Sequence, residues 1–326
     1  MNAGIKINYF FIVTLLFLSV TNNIFPQDKS NRNAISYILN GGRLGDNLVS
    51  FCHAKGQALK NKAKFLYVPF PYSDQLMIHE LEPRLFEKEK HRYSQVIVMN
   101  PGQQAIINNT NTLYLLPYCA EAPIELKDPH EAAKYEYSKV DWKNQDFLTE
   151  IRKLIKPRFV IPQPYLPQDR ITVAVHVRLG GAFESDSYLD RKAPTVICKM
   201  PPISYFIEQL SWLSSFFKDQ PMYAYIFTDD SNPTSIMKAI AQGVNKINIQ
   251  YNCRRHDNHW ANNVLEDLFN MTHFDCLIRS TSNFTFIASK LTDYKVVISA
   301  LNAQWVDGQA TIDQVAREGS LVDEVQ

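Results

Sequence analysis

From residue 34 onward the chain alternates short β-branched and aromatic runs with longer stretches of helical period. Ile35 to Leu39 reads as a strand and Asn40-Gly41-Gly42 as its stop. Leu44, Leu48, Phe51, Ala54 and Ala58 then form the apolar stripe of a helix. Phe65 to Val68 is the next strand, and strand, glycine turn, helix, strand is the βαβ signature of a parallel sheet. Gln95 to Met99, Thr112 to Leu116 and a helix from Lys143 to Ile155 extend this first block. Pro157, Pro162, Pro164 and Pro167 then crowd into a stretch suited to neither helix nor central strand, because proline lacks an amide donor and fixes φ.

The pattern restarts at Ile171 with a nearly continuous β-branched run to Val177, suited to a strand covered on both faces. Helices are expected at Ile203 to Phe217, Pro233 to Ala241, Ala261 to Met271 and Ser282 to Leu291. Strands are expected at Tyr223 to Phe227, Ile247 to Tyr251, Asp275 to Ile278 and Lys295 to Ser299. Two alternating blocks around a proline-rich linker predict an α/β protein of two Rossmann-like domains facing a cleft. The expected division is 28–156 for the N-terminal domain, 157–170 for the linker and 171–326 for the C-terminal domain. Past Ala300, the bulk of Trp305 predicts that it packs the tail onto the fold.

The first residues follow another pattern. Lys6 precedes an apolar run from Ile7 to Val20, ended by Thr21-Asn22-Asn23. A spanning helix needs about 20 apolar residues, so this shorter run fits a signal-peptide core. No small-x-small cleavage site stands between Ser19 and Gln27, which keeps an uncleaved anchor open. Residues 1–27 therefore predict a signal peptide or membrane anchor, and a membrane-anchored or exported protein.

Composition adds bounds. With 326 residues, 45% of them hydrophobic, the chain can fill more than one core. Its net charge of +1 lacks the basic footprint of a nucleic-acid binder. The five cysteines form no C-x-x-C pair and no His-Cys cluster, which argues against structural zinc, and Cys52 and Cys276 read as core residues. Sequons at Asn108, Asn270 and Asn283 would matter only in a secreted eukaryotic protein.

Polar residues gather where strands should end, the place where open parallel sheets bind ligands. Asn40 to Asn47, with Gly42, Arg43, Gly45, Asp46 and Asn47, offers glycines for close backbone approach and a helix start with free N–H groups. His176-Val177-Arg178 puts His176 and Arg178 on one side of a strand end, followed by Gly180 and Gly181, and an arginine there can fork onto a phosphate. Thr228-Asp229-Asp230-Ser231 follows the next strand. Its carboxylates suit a base or ribose, or Asp230 and Ser231 simply cap the helix at Pro233. Ser280, Thr281, Ser282, Asn283, Phe284 and Thr285 open a helix with hydroxyls, a ready anion site. No spacing suggests a metal.

The order of these clusters resembles the fucosyltransferase superfamily that uses GDP-fucose, nearest to the α1,2-fucosyltransferases of glycosyltransferase family 11, with kinship to α1,6- and protein O-fucosyltransferases. Gly41 to Asn47 resembles the glycine motif and His176-Val177-Arg178 the His-x-Arg motif. Phe227 to Asp230 resembles the Phe-Ser-Asp-Asp motif, and Ser280 to Phe286 the Ser-Asn-Ser-Thr-Phe motif. Leu179, Gly180 and Gly181 stand where the family usually has a second arginine and an aspartate, and Asp46-Asn47 stands where it has Asn-Gln.

The resemblance implies a GT-B fold, inversion at the anomeric carbon and no essential metal or other cofactor. It makes Arg178 the group that stabilises charge on the leaving β-phosphate, with His176 beside it. It places Asp229 or Asp230 on the base or ribose, and Ser282, Asn283 and Thr285 along the diphosphate. Asp46 is a candidate general base, with Glu184 and Asp186 as others. The implied partners are GDP-fucose or a related nucleotide sugar and a glycan acceptor. A degenerate nucleotide-sugar-binding protein, or a GT-B transferase using another NDP-sugar, remains an alternative.

Overall fold

The structure, a computed structural model, describes residues 33–99, 111–118, 140–179, 192–255, 258–259 and 261–322. The apolar run at 7–20, Asn108, Cys119, Gly180, Gly181, Glu184 and Asp186 lie outside the described residues. Among the described residues no helix is long and apolar enough to cross a membrane.

The first block forms β1 (Ala34–Tyr37), α1 (Leu44–Lys60), β2 (Lys64–Phe65), β3 (Gln95–Val98), β4 (Thr112–Leu116) and α2 (Gln145–Leu154). Its four strands pair in parallel in the order β2-β1-β4-β3. The expected strand at Phe65 to Val68 is cut short. Past Phe65 the chain leaves the ladder, and Tyr67 makes only an isolated bridge with Arg84.

The second block forms β5 (Ile171–Val177), α3 (Pro194–Lys199), α4 (Ile203–Phe216), β6 (Met222–Thr228), α5 (Pro233–Val244) and β7 (Ile249–Cys253). It continues with α6 (Val264–Met271), β8 (Cys276–Arg279), α7 (Asn283–Leu291), β9 (Val296–Val306) and β10 (Gln309–Glu318). The six strands run in the order β10-β9-β8-β5-β6-β7, parallel except for the antiparallel β9–β10 hairpin. Between the blocks, Pro162, Pro164 and Pro167 carry no helix or ladder strand.

Alternation along β5 sorts its two faces. Val173, Val175 and Val177 join an apolar cluster with Phe206, Leu210 and Leu213 of α4. Ala174 faces the other way, into a cluster that also holds Phe51 of α1, Ile151 of α2, Leu268 of α6 and Ile287 of α7. This second cluster runs without a break from the first block into the second. A large apolar interface of this kind holds two blocks in a fixed relation. Cys52 and Cys276 are buried in these cores as expected.

Two expectations need correction. The tail is not draped over the fold: β9 continues past Ser299 to Val306 and turns through Asp307-Gly308 into β10. Trp305 lies near the tip of this arm at 41% exposure, with the Lys192 ammonium 5.4 Å from its ring centre. The hairpin reaches beyond the sheet, so its outer residues have no core to enter. The cap of α5 is Asn232, not Asp230 or Ser231. Its side chain accepts from the Ser235 N–H, while Asp230 Oδ1 accepts from the Asn232 N–H at 2.6 Å.

Candidate active site

The carboxyl ends of β5, β6 and β8 and the starts of α1 and α7 surround one cleft of about 510 Å³, the size of a small-ligand site. Of the sequence candidates, Gly42, Arg43, Gly45, Asp46, His176, Arg178, Thr228, Asp229, Ser282, Asn283 and Phe284 line it.

The two helix starts meet tip to tip. A Cβ on Gly45 would collide with backbone already in place, 2.4 Å from the Phe284 nitrogen, 2.7 Å from its Cα and 2.9 Å from the Asn283 carbonyl carbon. Only glycine permits this approach. Gly41 supplies the left-handed turn before α1, with φ of 78°. Asp46 ties the junction together. Its Oδ1 accepts from Asn283 Nδ2 at 2.7 Å and from the Tyr118 hydroxyl at 3.1 Å, and its Oδ2 accepts from the Arg43 N–H at 3.2 Å. Asn283 Nδ2 also donates to Tyr118 Oη at 2.8 Å. Asn47 is buried just behind and steadies the turn by donating to the Gly42 carbonyl at 3.1 Å.

At α7, Ser282 accepts from the Phe284 N–H, a side-chain N-cap. Thr285 is fully buried, and its hydroxyl donates to the Ser280 and Ser282 carbonyls at 3.3 and 3.1 Å. Ser280 and Thr281 are also buried, and the Thr281 N–H donates to the Cys198 carbonyl at 3.0 Å. Asn47, Ser280, Thr281 and Thr285 are thus buried and do not line the cleft, and the half-exposed Asp230 does not line it either.

The cleft carries both signs of charge, with Arg43 and Arg178 set among Asp46, Asp229 and Asp267. Arg43 and Arg178 face it from opposite blocks, and the partly positive starts of α1 and α7 add to them. Burial lowers the Arg178 pKa and the neighbouring Arg43 lowers it further, while Asp229 and Asp46 oppose this. Asp229 is anchored by accepting from the Leu179 N–H at 2.9 Å. His176 packs against Phe284, with ring centres 5.9 Å apart, and its Nδ1 is buried without a hydrogen-bond partner. Burial takes the imidazole down to about 4 against the pull of Asp229, with Arg178 and Arg279 adding to the fall, so the ring is neutral at pH 7.

The far end of the cleft was missed by sequence reasoning. Tyr72, His259, Ala261, Asn262, Val264 and Asp267 line it. Tyr72 has a left-handed backbone, φ 69°, and its hydroxyl crosses between the blocks to the Ala261 carbonyl at 3.3 Å. Asp267, in the first turn of α6, accepts from Arg254 at 2.7 Å. Burial nevertheless pushes its carboxyl up to about 7. Neither residue belongs to a local glycine, serine or strand-end pattern. The one available signal was a carboxylate in the first turn of an apolar helix, which reads equally well as a helix-dipole partner.

The two sequons within the described residues are occupied otherwise. Asn270 is buried and donates to the Pro162 carbonyl, and Asn283 is held by Asp46 and Tyr118.

No protein-family model matches the sequence, and no curated protein aligns with it. The fold is that of solved fucosyltransferase structures. An Arabidopsis thaliana FUT1 mutant in complex with GDP superposes with a TM-score of 0.54 at 11% identity, covering 91% of this chain and 76% of that one. More distant are POFUT1 in complex with GDP-fucose and the fucosyltransferase NodZ from Bradyrhizobium. The first has a TM-score of 0.40 at 11% identity, over 82% of this chain and 96% of its own. The second has a TM-score of 0.38 at 13% identity, over 89% and 99%. The architecture is α/β, as the sequence pattern predicted, and of the GT-B type that the resemblance implied.

Proposed function

We propose that the chain is an inverting glycosyltransferase that moves fucose from GDP-fucose to a hydroxyl of a glycan acceptor, in the manner of the α1,2-fucosyltransferases. The observation that carries this reading is the convergence of Arg43, Arg178 and two helix starts on one cleft between two α/β blocks. That arrangement suits a diphosphate, whose negative charge grows as the sugar leaves.

In this reading the acceptor oxygen attacks the anomeric carbon from the face opposite the phosphate. The carbon–oxygen bond to the β-phosphate breaks, GDP departs, and the acceptor proton passes to a base. Arg178 and Arg43 meet the developing phosphate charge, and the α7 start with Ser282 lines the diphosphate. These groups supply the charge stabilisation that a metal would otherwise provide. Neutral His176 buttresses the Arg178 end through its contact with Phe284.

Asp267 at the far end offers carboxylate acceptors matched to the N1–H and N2–H donors of guanine, and Tyr72 closes that end. Asp46 has both oxygens engaged in holding Asn283, Tyr118 and Arg43, so its assigned role is positioning and not proton transfer. The apolar run at Ile7 to Val20 is assigned to export or anchoring of the catalytic blocks.

Calorimetry of GDP, GDP-fucose and UDP on the chain lacking residues 1–27 tests the reading. The guanine nucleotides should bind and UDP should bind weakly. Arg178→Ala should lower transfer by about a hundredfold or more, and chelators should leave wild-type transfer intact. Absence of guanine-nucleotide binding would overturn the reading.

A further inference from the structure

Arg279 is the last residue of β8 and is only 6% exposed. Its neighbours define which way it faces. Along β8, Cys276 and Ile278 enter the apolar cluster under α4, whereas Leu277 enters the cluster shared by the two blocks. Arg279 has the parity of Leu277. On β5, His176 has the parity of Ala174, which enters that same shared cluster. Val175 lies opposite Ile278 across the ladder, so one residue on, His176 and Arg279 stand side by side at the strand ends. Two rings of α7 cover them: Phe284 lies over His176, and Phe286 lies 5.5 Å from the Arg279 guanidinium.

The guanidinium is poorly compensated. Nη1 donates to the Ser280 carbonyl at 3.2 Å, and Nε is buried without a hydrogen-bond partner. Among the described residues no carboxylate lies within ion-pair distance of it; Glu318, the acidic group whose charge it feels, is paired with Lys290. The adjacent Ser280 hydroxyl and His176 Nδ1 are likewise buried without a partner. Three unsatisfied polar groups at one turn call for an explanation, and a buried cation without a counter-charge costs the folded state stability.

We propose that Arg279 is a positioning residue of the anion site, a buried cation whose counter-charge is the diphosphate of the bound donor. It acts at a distance, from beneath the first turn of α7. Its field adds to that of Arg178 and the helix start, and its hydrogen bond to Ser280 shares the carbonyl that also receives Thr285. The cost of the buried charge falls on the empty protein and is relieved when an anion fills the cleft. This inference rests on the donor-site reading above, because it takes the anion to be a nucleotide diphosphate.

Arg279→Met and Arg279→Lys test it, with melting temperature, binding of GDP and of inorganic pyrophosphate, and an NMR titration of His176. Arg279→Met removes the charge while keeping much of the volume, so the empty protein should melt at an equal or higher temperature. It should bind GDP and pyrophosphate about tenfold or more weakly, and its His176 midpoint should rise. Arg279→Lys should restore much of the affinity. A lower melting temperature with unchanged affinity would make Arg279 merely structural and overturn the proposal, as would affinity in Arg279→Met equal to wild type. Wild-type protein that binds pyrophosphate but not GDP, with pyrophosphate binding lost in Arg279→Met, would support Arg279 while sinking the guanine reading.

Discussion

The starts of α1 and α7 touch, yet they are built differently. The α7 start is ringed by hydroxyls of its own segment: Ser282 caps it, Thr285 braces it from behind, and its first turn faces the cleft. The α1 start has no hydroxyl cap. It carries Arg43 at its N-cap, and Asp46 in its first turn folds back on the Arg43 N–H. One helix start is therefore left to an incoming anion, while part of the other's positive end is already met by a carboxylate. Similar helix starts become different tools according to which side chain reaches the free N–H groups first.

This contrast can be broken in graded ways. The largest effect after Arg178→Ala belongs to Gly45→Ala, because the added carbon meets backbone, which yields less readily than a side chain. The two helix starts must part, with an expected cost of about 1–3 kcal/mol in stability and about tenfold or more in GDP affinity. Chemical denaturation and calorimetry check both, and wild-type values in both would mean that the junction does not shape the site.

Asp46→Asn comes next. It leaves the side-chain shape but weakens the charge-assisted contacts to Asn283 and Arg43. As a positioning change it should lower transfer by about tenfold. A loss of about a thousandfold, with GDP binding unchanged, would instead make Asp46 the base.

The smallest effect is one of pH at the far end of the cleft. Burial holds the Asp267 carboxyl up near 7, so a growing fraction loses its proton as pH rises through 7. An ionised carboxylate accepts both guanine donors, so GDP affinity should climb severalfold between about pH 6 and 8. Asp267→Asn should flatten that rise, and a wild-type profile with no rise would remove Asp267 from base recognition.

Much of this could be read along the chain. The βαβ order, the restart after the prolines and the polar residues at strand ends all follow from local periodicity, which packing tends to preserve. Thr112–Leu116 and Ile171–Val177 have the bounds that the pattern predicted. The arm of β9 and β10 escaped, because β8 ends at Arg279 opposite Ser299 and the tip from Gln304 to Gln309 is exposed, so burial imposes no alternation there.

The sequence by itself determined which elements form and which polar residues stand at their ends, since both depend on neighbours a few positions away. Tertiary structure alone decided which ends meet. The Asp46–Asn283 bond joins residues 237 positions apart, and the tight fit of Gly45 against Phe284 exists only once the two blocks share an apolar core. The same packing made Asp267 a cleft residue and sealed Arg279 beneath α7. Burial and proximity are properties of the whole assembly, and they turn an ordinary charged residue into one whose charge has consequences.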